Sequence, residues 1–216
     1  MGAPVAGGGD LGGAKMPGMS VRPLLLASRS PQRRAILEQL GIPYEAAAPE
    51  YVEHDPVEAD AERLVRDHAL GKARSVAAQA DGRPVLGVDT TVVLDGRIYA
   101  KPADAAEAEQ MLAGLAGKTH AVLSGLCLLT PDWEVVGAAA TLVSFRALSH
   151  DDVSGYVATG EWEGRAGAYA IQGRGAALVE RVEGDYLNVV GLPVALLVRL
   201  LAERFPGAYG FGRPPL

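Results

Sequence analysis

Two stretches of this 216-residue chain place reactive residue types where structure alone does not require them. The first is Ser28-Arg29-Ser30-Pro31-Gln32-Arg33-Arg34. It follows an apolar run and opens what reads as a helix. A helix N-terminus presents free backbone N–H groups and about half a positive charge. Two serines before that terminus and three arginines around it suit a phosphate group, because the arginine fork matches phosphate oxygens. The plainer alternative is that Ser30 only caps the helix and Arg33 and Arg34 face solvent. The second stretch holds Asp89 inside the otherwise apolar run 84–94. An unpaired ionised carboxylate there is unfavourable, so it calls for a cation, a metal ion, a hydrogen-bond network or a raised pKa. Any of these suits a general base or a metal ligand, and a strand-end aspartate turned to solvent is the alternative.

Weaker candidates surround these two. Lys101 precedes Pro102, which holds its backbone extended and suits a lysine aimed at a fixed target. Lys72 shares a helical segment with Arg66 and His68, and Glu53 lies in the acidic loop 50–58; both read equally well as solvated surface. Gln172, in Ala168-Tyr-Ala-Ile-Gln-Gly173, is a neutral hydrogen-bonding side chain suited to a base edge or to loop backbone. Other patterns fail. Gly117-Lys118-Thr119 lacks the leading glycine of a P-loop, since position 112 is Leu, and Gly173-Arg-Gly175 lacks the third glycine of a dinucleotide fingerprint. The histidines at 54, 68, 120 and 150 show no HExxH spacing, and Ser124-Gly125 is no nucleophile elbow.

The elements that must position these residues can be read from periodicity and caps. Pro23–Ala27 reads as a buried strand. Ser30 as N-cap, Pro31 at the first helical position and Gly41 just past the end predict a helix between them. Further helices are predicted over 57–80 and 103–116, in a short segment capped by Ser149, and over Pro193–Arg204. Strands are predicted over 84–94 and 97–99 around an Asp95-Gly96 turn, over about 119–130 and 134–146, and near 177–182. Hairpins mixed with helices predict an α/β fold with a mixed sheet. Residues 1–20, with seven glycines, predict a disordered arm in which Met16 or Met19 could be the true start, and no signal peptide. Residues 21–204 predict a single catalytic domain and 205–216 a Pro/Gly-rich tail.

Composition limits the partners. Lys and Arg total 20 against 26 Asp and Glu, a net charge of −6 with no basic block, which argues against coating a nucleic-acid polymer. No apolar run approaches the roughly 20 residues that span a bilayer, so no membrane partner is expected. A single cysteine, Cys127, suits a reducing, cytoplasmic setting.

Taken together, Leu25-Leu-Ala-Ser-Arg-Ser-Pro-Gln-Arg-Arg34, Gly87-Val-Asp-Thr90, Lys101-Pro102, Ala166-Gly-Ala-Tyr-Ala-Ile-Gln-Gly173 and Gly184-Asp-Tyr-Leu-Asn-Val-Val-Gly-Leu-Pro193 resemble the Maf family of nucleoside triphosphate pyrophosphatases, over about residues 24–203. The resemblance implies a twisted mixed sheet with flanking helices, in two lobes around a central cleft. It also implies hydrolysis of a nucleoside triphosphate between its α and β phosphates, with a divalent cation (Mg²⁺ or Mn²⁺), in a homodimer. By position it makes Asp89 the proton acceptor and gives Ser28, Arg33, Glu53, Lys72 and Lys101 phosphate- or metal-handling roles, with Glu53 and Asp89 toward the metal. It ties Gln32, Thr90 and Gln172 to base choice. Asp89-Thr90 and Ile171-Gln172 are similar to the branch acting on dTTP and UTP rather than on 7-methyl-GTP. Gln32 stands where that branch usually carries Arg, and Arg34 points about 100° further round the helix. A non-catalytic nucleotide sensor affecting cell division, and a phosphatase releasing orthophosphate, are the alternatives that use the same residues.

Overall fold

A four-residue strand of three buried leucines and an alanine can end only where its neighbours let the chain turn, and that ending shapes this molecule. The computed structural model describes residues 21–53 and 60–212. The expected Gly-rich arm, His54, the rest of the acidic loop to residue 58, the expected helix start at 57 and the last four residues lie outside the described residues. In chain order come β1 (Leu24–Ala27), α1 (Pro31–Gln39), β2 (Tyr44–Ala47), α2 (Ala61–Val76), β3 (Val85–Leu94), β4 (Arg97–Tyr99) and α3 (Ala105–Leu115). They are followed by β5 (Thr119–Leu129), β6 (Glu134–Phe145), α4 (His150–Val157), β7 (Val179–Glu183), α5 (Tyr186–Val190) and α6 (Val194–Arg204).

The seven strands form one mixed sheet in the order β2-β1-β3-β5-β6-β7, with β4 also pairing β3. β2, β1 and β3 run parallel, and the remaining pairings are antiparallel. A strand has two edges. β5 takes one edge of β3 from Val85 to Val93, so β1 and β4 must share the other. β1 stops at Ala27, opposite Gly87, and β4 begins its pairing at Val92. Residues 88–91 therefore have no strand partner on that edge, and Asp89 and Thr90 lie in this notch.

Three apolar clusters stabilise the sheet. One gathers β1, α1, the first half of β3 and α6 around Leu26, Leu37, Leu86 and Leu197. Another gathers the second half of β3, α3 and α4 around Leu112, Phe145 and Tyr169. The third is built of small residues, with Ala27, Ala69, Ala73 and Cys127 letting α2 lie close to the sheet. Glycine makes that approach possible: a Cβ on Gly87 would sit 2.1 Å from the Ala69 carbonyl oxygen, and one on Gly125 1.9 Å from that of Val65.

Several elements differ from the expectations. The helix predicted over 57–80 is capped by Asp60, whose carboxylate accepts from the N–H groups of Glu62 and Arg63, and its last turn tightens into a 3-10 turn at Ala77–Gln79. The strand expected near 177–182 runs over Val179–Glu183, because a 3-10 turn, Arg174–Leu178, precedes it. Neither β2 nor α5 was anticipated. The segment after Arg204 folds back: Tyr209 is buried, stacks edge-on with Phe205, and donates its hydroxyl to the Arg22 carbonyl at 2.9 Å. Among the described residues no helix is long and apolar enough to cross a membrane.

Candidate functional site

The notch opens into a cleft of about 990 Å³. Its floor is the turn that leaves β1. Ser28, only 3% exposed, accepts a hydrogen bond from the Ser30 N–H at 3.1 Å, and the Ser30 hydroxyl caps α1 by accepting from the Arg33 N–H at 3.4 Å. One turn into α1 the Arg33 side chain reaches back over this loop. Its Nε donates to the Gly191 carbonyl (2.8 Å), Nη1 to Ser28 Oγ (3.2 Å) and Nη2 to Thr90 Oγ1 (3.2 Å). The guanidinium thus ties the β1–α1 turn, β3 and the α5–α6 junction together, with some of its five N–H donors left for a ligand. Burial lowers its pKa, opposed by the charges of Asp89 and Glu53, and it remains a cation.

The second wall is α2. Asp89 pairs across the sheet with Gly125, the glycine on which Val65 of α2 rests, so the helix passes directly over the carboxylate. One helical turn on from Val65, His68 Nδ1 lies 3.4 Å from Asp89 Oδ2, and after another turn Lys72 Nζ lies 2.6 Å from Asp89 Oδ1. The same ammonium lies 2.6 Å from Glu53 Oε1. Glu53 arrives there because Tyr51 packs over α2, its ring filling the space above Gly71 and meeting the His68 ring edge-on at 5.7 Å. Burial would push the Asp89 carboxyl up. The His68 hydrogen bond, the Lys72 ammonium and Arg33 outweigh it and hold the carboxyl well below the usual carboxylate range. Asp89 is therefore an ionised, cation-paired group.

Of the residues singled out in the sequence, Ser28, Arg33 and Thr90 are joined in one hydrogen-bonded group, and Glu53, Lys72 and Asp89 in a second beside it. Gln32, Lys101 and Gln172 line the same cleft; Gln32 touches the first group through Ser30, and the side chains of Lys101 and Gln172 bond to neither group among the described residues. The Gln32 side-chain carbonyl accepts from the Ser30 hydroxyl at 3.0 Å. Thr90 Oγ1 is engaged by Arg33, by Ser124 Oγ at 2.8 Å and by the Gly191 carbonyl at 3.4 Å, so it acts on the cleft by holding Arg33. Lys101 is exposed and makes no ion pair among the described residues. Gln172 is exposed at the rim, on a loop that Glu161 clamps by accepting from the N–H groups of Arg174 (3.0 Å) and Gly175 (3.3 Å). Sequence reasoning passed over His68, Ser124 and Glu161. For His68 the available signal was its i,i+4 spacing to Lys72, which sets both on one face of α2.

Glu53, His68 and Asp89 each offer one ligand atom, all within 4.8 Å of one another. Two carboxylates with one imidazole suit a hard divalent cation, and the Lys72 ammonium lying on both carboxylates marks a place where positive charge is stabilised.

Known proteins resemble this chain along most of its length. A family model described as Maf-like protein matches residues 23–204. A dTTP/UTP pyrophosphatase of Symbiobacterium thermophilum is 50% identical over 181 residues, covering 83% of this chain and 93% of the relative. One from Deinococcus radiodurans is 45% identical over 195 residues, covering 90% of this chain and all of its own length. One from Nitratidesulfovibrio vulgaris is 47% identical over 190 residues, covering 87% and 90%.

Proposed function

This chain belongs to the Maf family, and from its site we propose that it hydrolyses dTTP- and UTP-like nucleoside triphosphates to a monophosphate and pyrophosphate. The observation that carries this is the Lys72 ammonium held between Asp89 and Glu53, beside a serine–arginine turn and a helix N-terminus. That arrangement pairs a buried anionic base with the cations a polyphosphate needs.

In this reading the phosphates lie over the Ser28–Arg33 turn, held by backbone N–H groups, by the remaining Arg33 donors and by Lys101. While Lys72 is bonded to Asp89, the carboxylate is a weak proton acceptor. A bound triphosphate competes for the ammonium, and as Lys72 shifts toward phosphate Asp89 gains basicity and takes the proton of the attacking water. Water thus cleaves the α–β anhydride, and Lys72 and Lys101 neutralise the charge growing on the departing pyrophosphate. Glu53, His68 and Asp89 would hold a divalent cation, Mg²⁺ or Mn²⁺, which supplies further charge neutralisation on the polyphosphate when bound. Gln32 and Gln172 face the base, with Thr90 acting through Arg33. A cytoplasmic setting accords with the fully buried lone thiol of Cys127, and the homodimer rests on the family resemblance.

The test is a panel of canonical and modified triphosphates with Mg²⁺ or Mn²⁺, scored for pyrophosphate, orthophosphate and monophosphate. Pyrophosphate with UMP or dTMP is expected. Release of orthophosphate alone, or no turnover of any nucleotide, would refute the reading.

A further inference from the structure

The cations of the cleft are not equally committed. Lys72 is paired with two carboxylates, and Arg33 donates to three oxygens. Arg165 also lines the cleft, yet its Nε is buried and has no hydrogen-bond partner among the described residues, and its side chain makes no ion pair there. A buried donor without an acceptor is destabilising, so a position that retains one calls for an acceptor from outside the chain.

The backbone around Arg165 is firmly held. Its N–H donates to the Trp162 carbonyl at 3.1 Å and its own carbonyl accepts from the Ala168 N–H at 3.1 Å. Two residues on, the Gly167 N–H donates to the Ala100 carbonyl at 3.2 Å, which sets this segment against the one carrying Lys101. Gly167 adopts φ +70°, and a Cβ there would come 2.9 Å from Val92 Cγ2, so the turn is pressed onto β3. Of the neighbouring carboxylates, Glu161 is engaged by the N–H groups of Arg174 and Gly175, and Glu163 is exposed and makes no ion pair among the described residues. Arg165 and Lys101 thus stand on two bonded segments facing one cleft, both cationic and both without an anion among the described residues.

We propose that Arg165 is a substrate-binding residue whose guanidinium takes a non-bridging phosphate oxygen of the triphosphate, beside Lys101. The proposal rests on the reading of the cleft as a triphosphate site. It makes the phosphate cradle two-sided, with the Ser28–Arg33 turn on one segment of the cleft and the Lys101–Arg165 pair on another. Arginine suits the position because its fork offers several directed donors, whereas lysine offers a point charge.

The experiment compares the full chain with Arg165→Gln, Arg165→Lys and, as a surface control of equal charge change, Arg181→Gln. Steady-state kinetics, inhibition by inorganic pyrophosphate, calorimetric titration with inorganic tripolyphosphate and the thermal midpoint are measured for each. Arg165→Gln should raise KM and the pyrophosphate inhibition constant about tenfold to a hundredfold with an unchanged midpoint, the scale of a lost charge-assisted hydrogen bond. Arg165→Lys should recover part of that loss, and Arg181→Gln should match the parent. Parental KM and pyrophosphate inhibition in Arg165→Gln would overturn the proposal. If the parent releases pyrophosphate from no nucleotide, the functional reading fails on its own. Tripolyphosphate affinity then decides about Arg165: equal affinity for the parent and Arg165→Gln overturns it, and weaker affinity for the variant supports it.

Discussion

A carboxylate beside an ammonium is only as basic as that ammonium allows, and Asp89 is used most directly at this scale. Asp89→Asn keeps the shape and removes the proton acceptor, so turnover should fall by about 10³-fold while the chain stays folded, read as pyrophosphate release alongside circular dichroism. Asp89 was legible in the sequence because a charge in an apolar strand has few structural excuses. His68 was not, and Lys72 was marked only by the family resemblance, because an i,i+4 pair on a helix looks the same whether it meets solvent or a buried carboxylate. A second histidine gives a stability test. His120 is 1% exposed, its Nε2 lies 2.9 Å from the Tyr169 hydroxyl, and burial lowers its pKa to about 4. Its folded pKa lies below the unfolded value of about 6.5, so between those values the unfolded chain binds more protons. The contribution of the neutral ring is present above that window and is lost as pH falls through it, by roughly 3 kcal/mol at pH 4. Urea unfolding at pH 7 and pH 4.5 should show this loss in the parent and a much smaller one in His120→Gln.

At the scale of elements, α2 decides whether the site exists, because His68 and Lys72 reach Asp89 only while the helix sits on Gly87 and Gly125. Gly125→Ala would put a methyl group 1.9 Å from the Val65 carbonyl oxygen, against backbone that cannot rotate away. It should destabilise the fold by about 3 kcal/mol and lower turnover by moving α2, measured by denaturant unfolding and pyrophosphate release. The loop carrying Gln172 depends on Glu161 in the same way. Glu161→Ala frees two backbone N–H groups and should reduce the preference for uracil and thymine over other bases by about tenfold, read as a ratio of kcat/KM values. The helices after Ser30 and Ser149 were readable because each serine supplies a side-chain oxygen to a helix N-terminus. β2, with the sequence Tyr-Glu-Ala-Ala, escaped notice because four residues, none of them buried, carry no alternation and owe their pairing to β1. α5 has five residues, and a helix that short is made by its Asp185 cap and by Gly191 beyond it rather than by periodicity.

Across the whole molecule, the mixed α/β class was readable from hairpins interleaved with helices, whereas strand order was not, since the pairing of β3 with both β1 and β5 joins residues far apart in the chain. The notch in β3 depends on that order. On the open side of residues 88–91 the main chain presents amides and carbonyls that no strand claims, and the hydrogen bonds they lack must come from whatever enters. An occupant with its own alternating donors and acceptors can supply them, while a hydrocarbon of equal size would seal them off from water. The gap is also too short to template another strand, so it stays open to a small guest without inviting aggregation between chains. Backbone groups of successive residues alternate between the two edges, so amide exchange at the two of these four positions that face away from β5 should slow when a nucleotide binds and should not change with protein concentration.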